Sequence, residues 1–210
     1  YYADGRQQGS IYHSSHLYEF DFHSHLLQFQ KSDWVRIKVA DNATGAATAA
    51  QVDVYDLTTA THQSSVQVDP VDGEAVIVLN EGKEYGLFVK KEGYLFESVH
   101  IDHNNHASPR AAASVPIRLK PIALDQAQVL KNIFFGFDQY TLEARSTTEL
   151  DYLIAFLQKH PNLCISIEGH TDHIGDKDYN DQLSTKRARA IYDYLLGAGV
   201  EATRLTYQGY

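Results

Sequence analysis

The hydrophobic periodicity of this chain changes once, around Lys120 to Ile122, and that change divides it into two kinds of architecture in series. Upstream, apolar and polar residues alternate in short runs, which is the period of a half-buried strand. Runs at 34–39, 51–57, 63–68, 75–79, 85–90, 95–101 and 115–119 are separated by turn-forming stretches at 42–45, 69–73, 80–82 and 92–93. Short strands so closely spaced predict an all-β sandwich over residues 33–120. Downstream, IFFGF reads as a short apolar strand. Residues 143–158 read as a helix with Leu150, Leu153, Ile154 and Leu157 on one face and Pro161 beyond its end. Ile165 and Ile167 alternate with Ser166 and Glu168, a strand. Leu183, Ala190, Ile191, Tyr194 and Leu195 then follow helical spacing up to a stop at Gly197, and LTYQGY offers a last strand. Strands alternating with helices predict an α/β fold for residues 121–210. Pro116 and Pro121 flank the last upstream strand, and KPIALDQAQ reads as the connection between the two parts. Residues 1–32, with the aromatic run LYEFDFHSHLLQF, are too short to form a core. They are expected to be the end of a preceding domain and a linker, either an edge strand or a docking segment.

Charge and composition narrow the function. The net charge of −9 comes from 27 acidic against 18 basic residues, with no basic stripe, which argues against nucleic acid. No apolar run approaches the roughly 20 residues of a membrane-spanning helix, so any membrane association is expected to come from upstream parts. The chain contains no Met and opens on YYADGRQQGS, which lacks the blocks of a signal peptide. It is therefore expected to be a piece of something longer. Cys164 has no second cysteine to pair with, and its place beside an apolar strand predicts a small buried core residue.

Catalytic and metal-binding chemistry find no constellation. His100, His103 and His106 lie close in sequence, as do His13, His16, His23 and His25, but none matches a common zinc-ligand spacing. Asp69 and Asp72 lack the ligand ladder and distal Glu of a calcium loop and read as a β-turn. There is no G-x-S-x-G elbow, no phosphate-binding loop and no dinucleotide fingerprint. Glu168 and Asp172 could be imagined as an acid/base pair, yet nothing in the sequence suggests a raised pKa for either. The expectation is a protein that is not an enzyme, without metal or cofactor.

What remains is a carboxylate and a guanidinium held on two rigid elements. Asp172 follows the strand at 165–169, and Arg187 projects from the first turns of the next helix. Taken singly, Asp172 reads as a turn or capping residue and Arg187 as a solvated helix cation. Together their surroundings satisfy TD-x2-G-x4-N-x2-LS-x2-RA-x2-I-x2-YL from Thr171 to Leu195.

With IFFGFDQYTL, EGHTDHIG and NDQLSTKRARAIYDYL, residues 133–209 resemble the OmpA C-terminal-like family, which includes peptidoglycan-associated lipoproteins and motility-motor stator proteins. The resemblance implies non-covalent binding of the meso-diaminopimelate in the stem peptide of peptidoglycan. By position, Asp172 would accept the ammonium and Arg187 would meet the carboxylate. Phe137 and Leu183 would wall the pocket, and Asp138 and Asn180 would add polar or backbone contacts. An ammonium and a carboxylate on one carbon suit an anion and a planar guanidinium at fixed separation. The family continues into a further strand, so the domain at 121–210 is expected to be C-terminally incomplete. Upstream, VRIKVADNATGAATAAQVDVYDL and DPVDGEAVIVLNEGKEYGLFVKKEGYLF resemble carboxypeptidase-regulatory-like domains, which are transthyretin-like sandwiches. Residues 1–32 resemble the last strand of a β-propeller blade. This order of modules is similar to PorE-type envelope lipoproteins of the type IX secretion system. It implies a periplasmic, outer-membrane-associated protein anchored to the cell wall, with envelope proteins as further partners. The alternative is a structural subunit of an envelope or secretion complex acting mainly through protein contacts.

Overall fold

Strict alternation in β1 (Ser32–Asp41) sets the first layer: Val35, Ile37 and Val39 point inward, while Trp34, Arg36 and Lys38 face solvent. The computed structural model describes residues 31–104, 114–171 and 176–210. β1 pairs antiparallel with β4 (Glu74–Asn80) and parallel with β7 (Ser114–Leu119), in the order β4-β1-β7. A second sheet runs β3-β2-β5-β6, built from β2 (Gln51–Asp56), β3 (Thr61–Gln67), β5 (Glu84–Lys90) and β6 (Glu97–Asp102). Ile37, Val39, Ile77 and Leu119 of the first sheet meet Val52, Val54, Leu87 and Val89 of the second in one core. Each such side chain contributes about 1.5–3 kcal/mol of burial, which is what holds two sheets face to face.

The second sheet departs from simple alternation because both of its faces are covered. In β5, Tyr85, Leu87 and Val89 enter the sandwich core, yet Phe88 on the opposite face is also fully buried. Its cover is the helix α1 (Thr147–Lys159), which follows a 3-10 turn at Ala144–Ser146. Tyr152 of α1 stacks on Phe88 with ring centroids 4.3 Å apart. The other face of α1, with Leu150, Leu153, Ile154 and Leu157, completes a second core. That core includes Ile167 of β8 (Ile165–Gly169), Ala188, Ile191 and Leu195 of α2 (Lys177–Gly197), and Leu205 of β9 (Leu205–Gly209). Phe88 and Phe96 belong to this second core, so the all-β and α/β parts share apolar packing, and Ser32–Tyr210 is one compact unit.

The strands and helices lie where periodicity predicts, with three differences. IFFGF forms no strand; Phe135 makes only an isolated bridge to Leu142. The second helix runs through Gly197 and stops at Gly199, which has φ +90°. There Gly199 N donates to Leu196 O and Val200 N to Leu195 O, closing the helix as a Schellman motif. Cys164 is exposed rather than buried, because β8 begins one residue later and Cys164 shares the outward phase of Ser166. The segment expected to dock or form an edge strand, residues 1–32, lies almost wholly outside the described residues. β9 pairs parallel with β8 from Ile165↔Leu205 to Gly169↔Gly209.

Candidate functional site

The end of β8 is brought against α2 by the absence of two side chains. A Cβ on Gly169 would sit 2.2 Å from the carbonyl oxygen of Ser184, and one on Gly209 would meet Thr185 N at 2.3 Å. Because Gly169 and Gly209 are register partners, the helix settles on the strand pair at this one level, with Ser184 and Ala188 fully buried beneath it. The chain leaving Gly169 through His170 and Thr171 therefore emerges beside the middle of α2. His170 stacks on Tyr210, with centroids 5.3 Å apart.

The helix starts on its own cap. Asp176, extended in backbone, accepts from Tyr179 N at 2.9 Å, and Asp178 adds negative charge to the first turn, where the helix dipole favours it. Asn180, Leu183 and Arg187 follow at helical spacing, all half-buried. Arg187 lies about 15 Å along the helix at 1.5 Å per residue, on its third turn rather than its first.

The Arg187 side chain is held by a segment from far upstream. Its Nε donates to Gln139 O at 2.9 Å and an Nη to Gly136 O at 3.4 Å, and its guanidinium lies 5.1 Å over the Phe135 ring. The outer edge of the fork, Nη1 included, takes no partner among the described residues. A cation so fixed can present parallel N–H groups to a carboxylate. Tyr179 OH donates to the Asp138 carboxylate, joining this segment to the first turn of α2, and that bond pushes the Tyr179 phenol pKa up.

Of the residues singled out from sequence, Asn180, Leu183 and Arg187 share one half-buried face of α2, and Asp138 belongs to the segment that Arg187 and Tyr179 engage. Asp172 falls in 172–175, outside the described residues, between Thr171 and Asp176. Phe137 is 99% exposed and forms no wall with Leu183. The reason is local: Gln139 N donates to Gly136 O, and Asp138 has φ +56°, so the chain turns and throws Phe137 outward. The aromatic ring beside Arg187 is that of Phe135. It and Phe137 are indistinguishable in an alternating run, and only the turn separates them. Tyr179 and the two carbonyls carried no sequence signal of their own. No group of histidines, cysteines and carboxylates able to hold a metal is found among the described residues.

The match to known proteins falls on this region. Residues 134–210 match the OmpA family. This stretch is similar to OmpA-family domains. The chain is 36% identical over 86 residues to a peptidoglycan-associated lipoprotein of Pasteurella multocida, covering 41% of this chain and 57% of that protein. It is 33% identical over 91 residues to outer membrane porin F of Pseudomonas aeruginosa, covering 43% of this chain and 26% of the porin. The chain thus spans well short of the full length of these relatives. A crystal structure of the peptidoglycan-associated lipoprotein from Burkholderia pseudomallei matches at 31% identity, covering 37% of this chain and 65% of that one, with a TM-score of 0.35.

Proposed function

We propose that the OmpA-like domain binds peptidoglycan non-covalently through the meso-diaminopimelate of its stem peptide, with Arg187 meeting the carboxylate and Asp172 the ammonium. The observation that carries this reading is the Arg187 guanidinium, oriented by Gly136 O and Gln139 O over Phe135, with Nη1 taking no partner among the described residues. Names among the relatives support the wall as the ligand. The protein would then work in the periplasm in association with the outer membrane, anchoring the parts to which it is joined. Residues 33–120 serve in this reading as a carboxypeptidase-regulatory-like, transthyretin-like sandwich that carries the binding domain, with residues 1–32 belonging to a preceding domain.

Co-sedimentation with purified sacculi tests the site. Each charge-assisted hydrogen bond is worth about 1.5–3 kcal/mol, so Arg187→Ala or Asp172→Ala should weaken binding roughly 10- to 100-fold. Full retention by either variant would remove that residue from the pocket. A second reading, a structural subunit of an envelope or type IX secretion complex, is favoured by one feature. Trp34, Val76 and Val78 lie exposed together on the outer face of β1 and β4, with Trp34 opposite Val78. Under that reading, Val78→Lys would release partner proteins in pull-downs while leaving sacculus binding intact.

A further inference from the structure

The segment that orients Arg187 is itself gripped by the all-β part. We propose that Glu84 of β5 and Arg145 are positioning residues for the ligand site, so that the sandwich is a working part of the binding device rather than a passive carrier. The inference rests on the reading of Arg187 given above and extends it to residues on the other side of the molecule.

The contacts form an unbroken series. Glu84 Oε2 accepts from Arg145 Nη1 at 2.6 Å and lies 3.3 Å from His100 Nε2 on β6. Arg145 also donates through Nε to Glu143 at 2.8 Å, and its guanidinium lies 3.8 Å over the ring of Phe134. His100 approaches the same ring edge-on, with centroids 5.1 Å apart. Phe134 is thus held between a sandwich histidine and an arginine that the sandwich anchors. Its backbone is pinned as well: Ser146 Oγ accepts from Phe134 N at 2.8 Å, and Phe134 O accepts from Glu143 N at 3.1 Å. The next residue, Phe135, carries the Arg187 guanidinium, and the one after it supplies the Gly136 carbonyl.

This arrangement matters because the segment has little of its own to hold it. Apart from the Phe135↔Leu142 bridge and the turn at Gly136, residues 134–142 form no regular structure, so side-chain tethers decide where their carbonyls point. Hydrogen bonds weaken steeply with misalignment. A small displacement of Phe134 would therefore release Arg187 into its many rotamers and lose the preorganisation on which binding depends. A merely structural ion pair at the junction would stabilise the fold without moving Arg187, and the two roles separate experimentally.

The test uses the whole chain, a synthetic stem peptide containing diaminopimelate, and exchange of the Arg187 Nε proton followed by 1H–15N NMR. Glu84→Ala and Arg145→Ala are expected to weaken peptide binding by roughly three- to thirtyfold and to speed exchange of the Arg187 Nε proton, with the amide spectrum remaining that of a folded protein. Tyr152→Phe, which breaks the junction contact to Asp53 far from residues 134–142, is expected to change neither. Wild-type affinity and unchanged Arg187 exchange in Glu84→Ala would overturn the proposal, as would an equal loss in Tyr152→Phe. Arg187→Ala serves as the separate arm. If it binds the peptide normally, the reading of the site fails, while the exchange measurement still reports whether Glu84 positions Arg187.

Discussion

A side chain at Gly169 would collide with the helix that rests on it. A methyl group there must displace the Ser184 backbone carbonyl, which belongs to the buried middle of α2 and has no freedom to move. Gly169→Ala should therefore destabilise the protein by about 1–3 kcal/mol, the usual penalty for overpacking. It should also weaken sacculus binding, because α2 carries Arg187 and would be pushed off the strand at Ser184. Urea unfolding together with sacculus binding checks both effects, and an unchanged midpoint would show that helix and strand can part without strain. Residue by residue, what the sequence reveals is uneven. Arg187, Leu183 and Asn180 are legible because helical spacing fixes which face they share. Phe137 is misread because a reversal at Gly136–Gln139, whose glycine and aspartate are passed over when IFFGF is read as a strand, ends the alternation that would have placed it beside Phe135. Cys164 is misread because its apolar character was weighed above its phase, which is that of the outward-facing Ser166 and Glu168.

At the scale of elements, α1 is unusual in having two occupied faces. One follows the periodicity of Leu150, Leu153, Ile154 and Leu157. The other carries Glu149 and Tyr152 into the outer surface of β2, β5 and β6. Glu149 is 0% exposed and accepts from Ser98 Oγ and Asn132 Nδ2, each at 2.6 Å. Burial pushes its carboxyl pKa up from the ordinary 4.5, and the hydrogen bonds from Ser98 and Asn132 offset only part of that rise. Between 4.5 and the raised value, the folded protein holds a proton that the unfolded chain has released. Glu149 thus favours folding fully below that window, less as pH rises through it, and imposes a constant penalty above it. Glu149→Gln removes the titration. Wild type should lose more stability than the variant as pH rises above 4.5, as read from urea midpoints; parallel profiles would contradict this. Asp53 behaves in the opposite sense. Burial alone would raise it, but hydrogen bonds from Lys90, Ser65 and Tyr152 together hold it well below the usual carboxylate range. None of these partners is legible in the sequence, since each lies on a different element from the carboxylate it meets. The strands that α1 covers read as half-polar runs until the cover is seen.

For the molecule as a whole, the change of periodicity near residue 121 marks a change of architecture but no break in packing. Phe88, from the middle of a sandwich strand, is fully buried in the core of the OmpA-like half. Phe88→Ala should destabilise by about 3–5 kcal/mol. Far-ultraviolet and near-ultraviolet dichroism should agree on a single midpoint for residues 32–210 in each protein, and that midpoint should fall in both probes together on substitution. Two separated transitions in the wild type would show instead that the halves unfold independently. The two-part organisation was legible from the spacing of strands and helices, because periodicity is a local property. The shared core was not, because it depends on which outer face of a sheet a distant helix chooses to cover.

The stacking of Tyr152 on Phe88 has a practical consequence for anyone who would treat these halves as exchangeable cassettes. A cut at residue 121 passes through an interior, not between two surfaces. Grafting the OmpA-like half behind a foreign sandwich leaves a void where a phenylalanine ring should lie, and it leaves Tyr152 and Glu149 facing water or a mismatched wall. A usable graft would have to carry the outer face of β2, β5 and β6 along with it, so the smallest transplantable piece is larger than either half suggests.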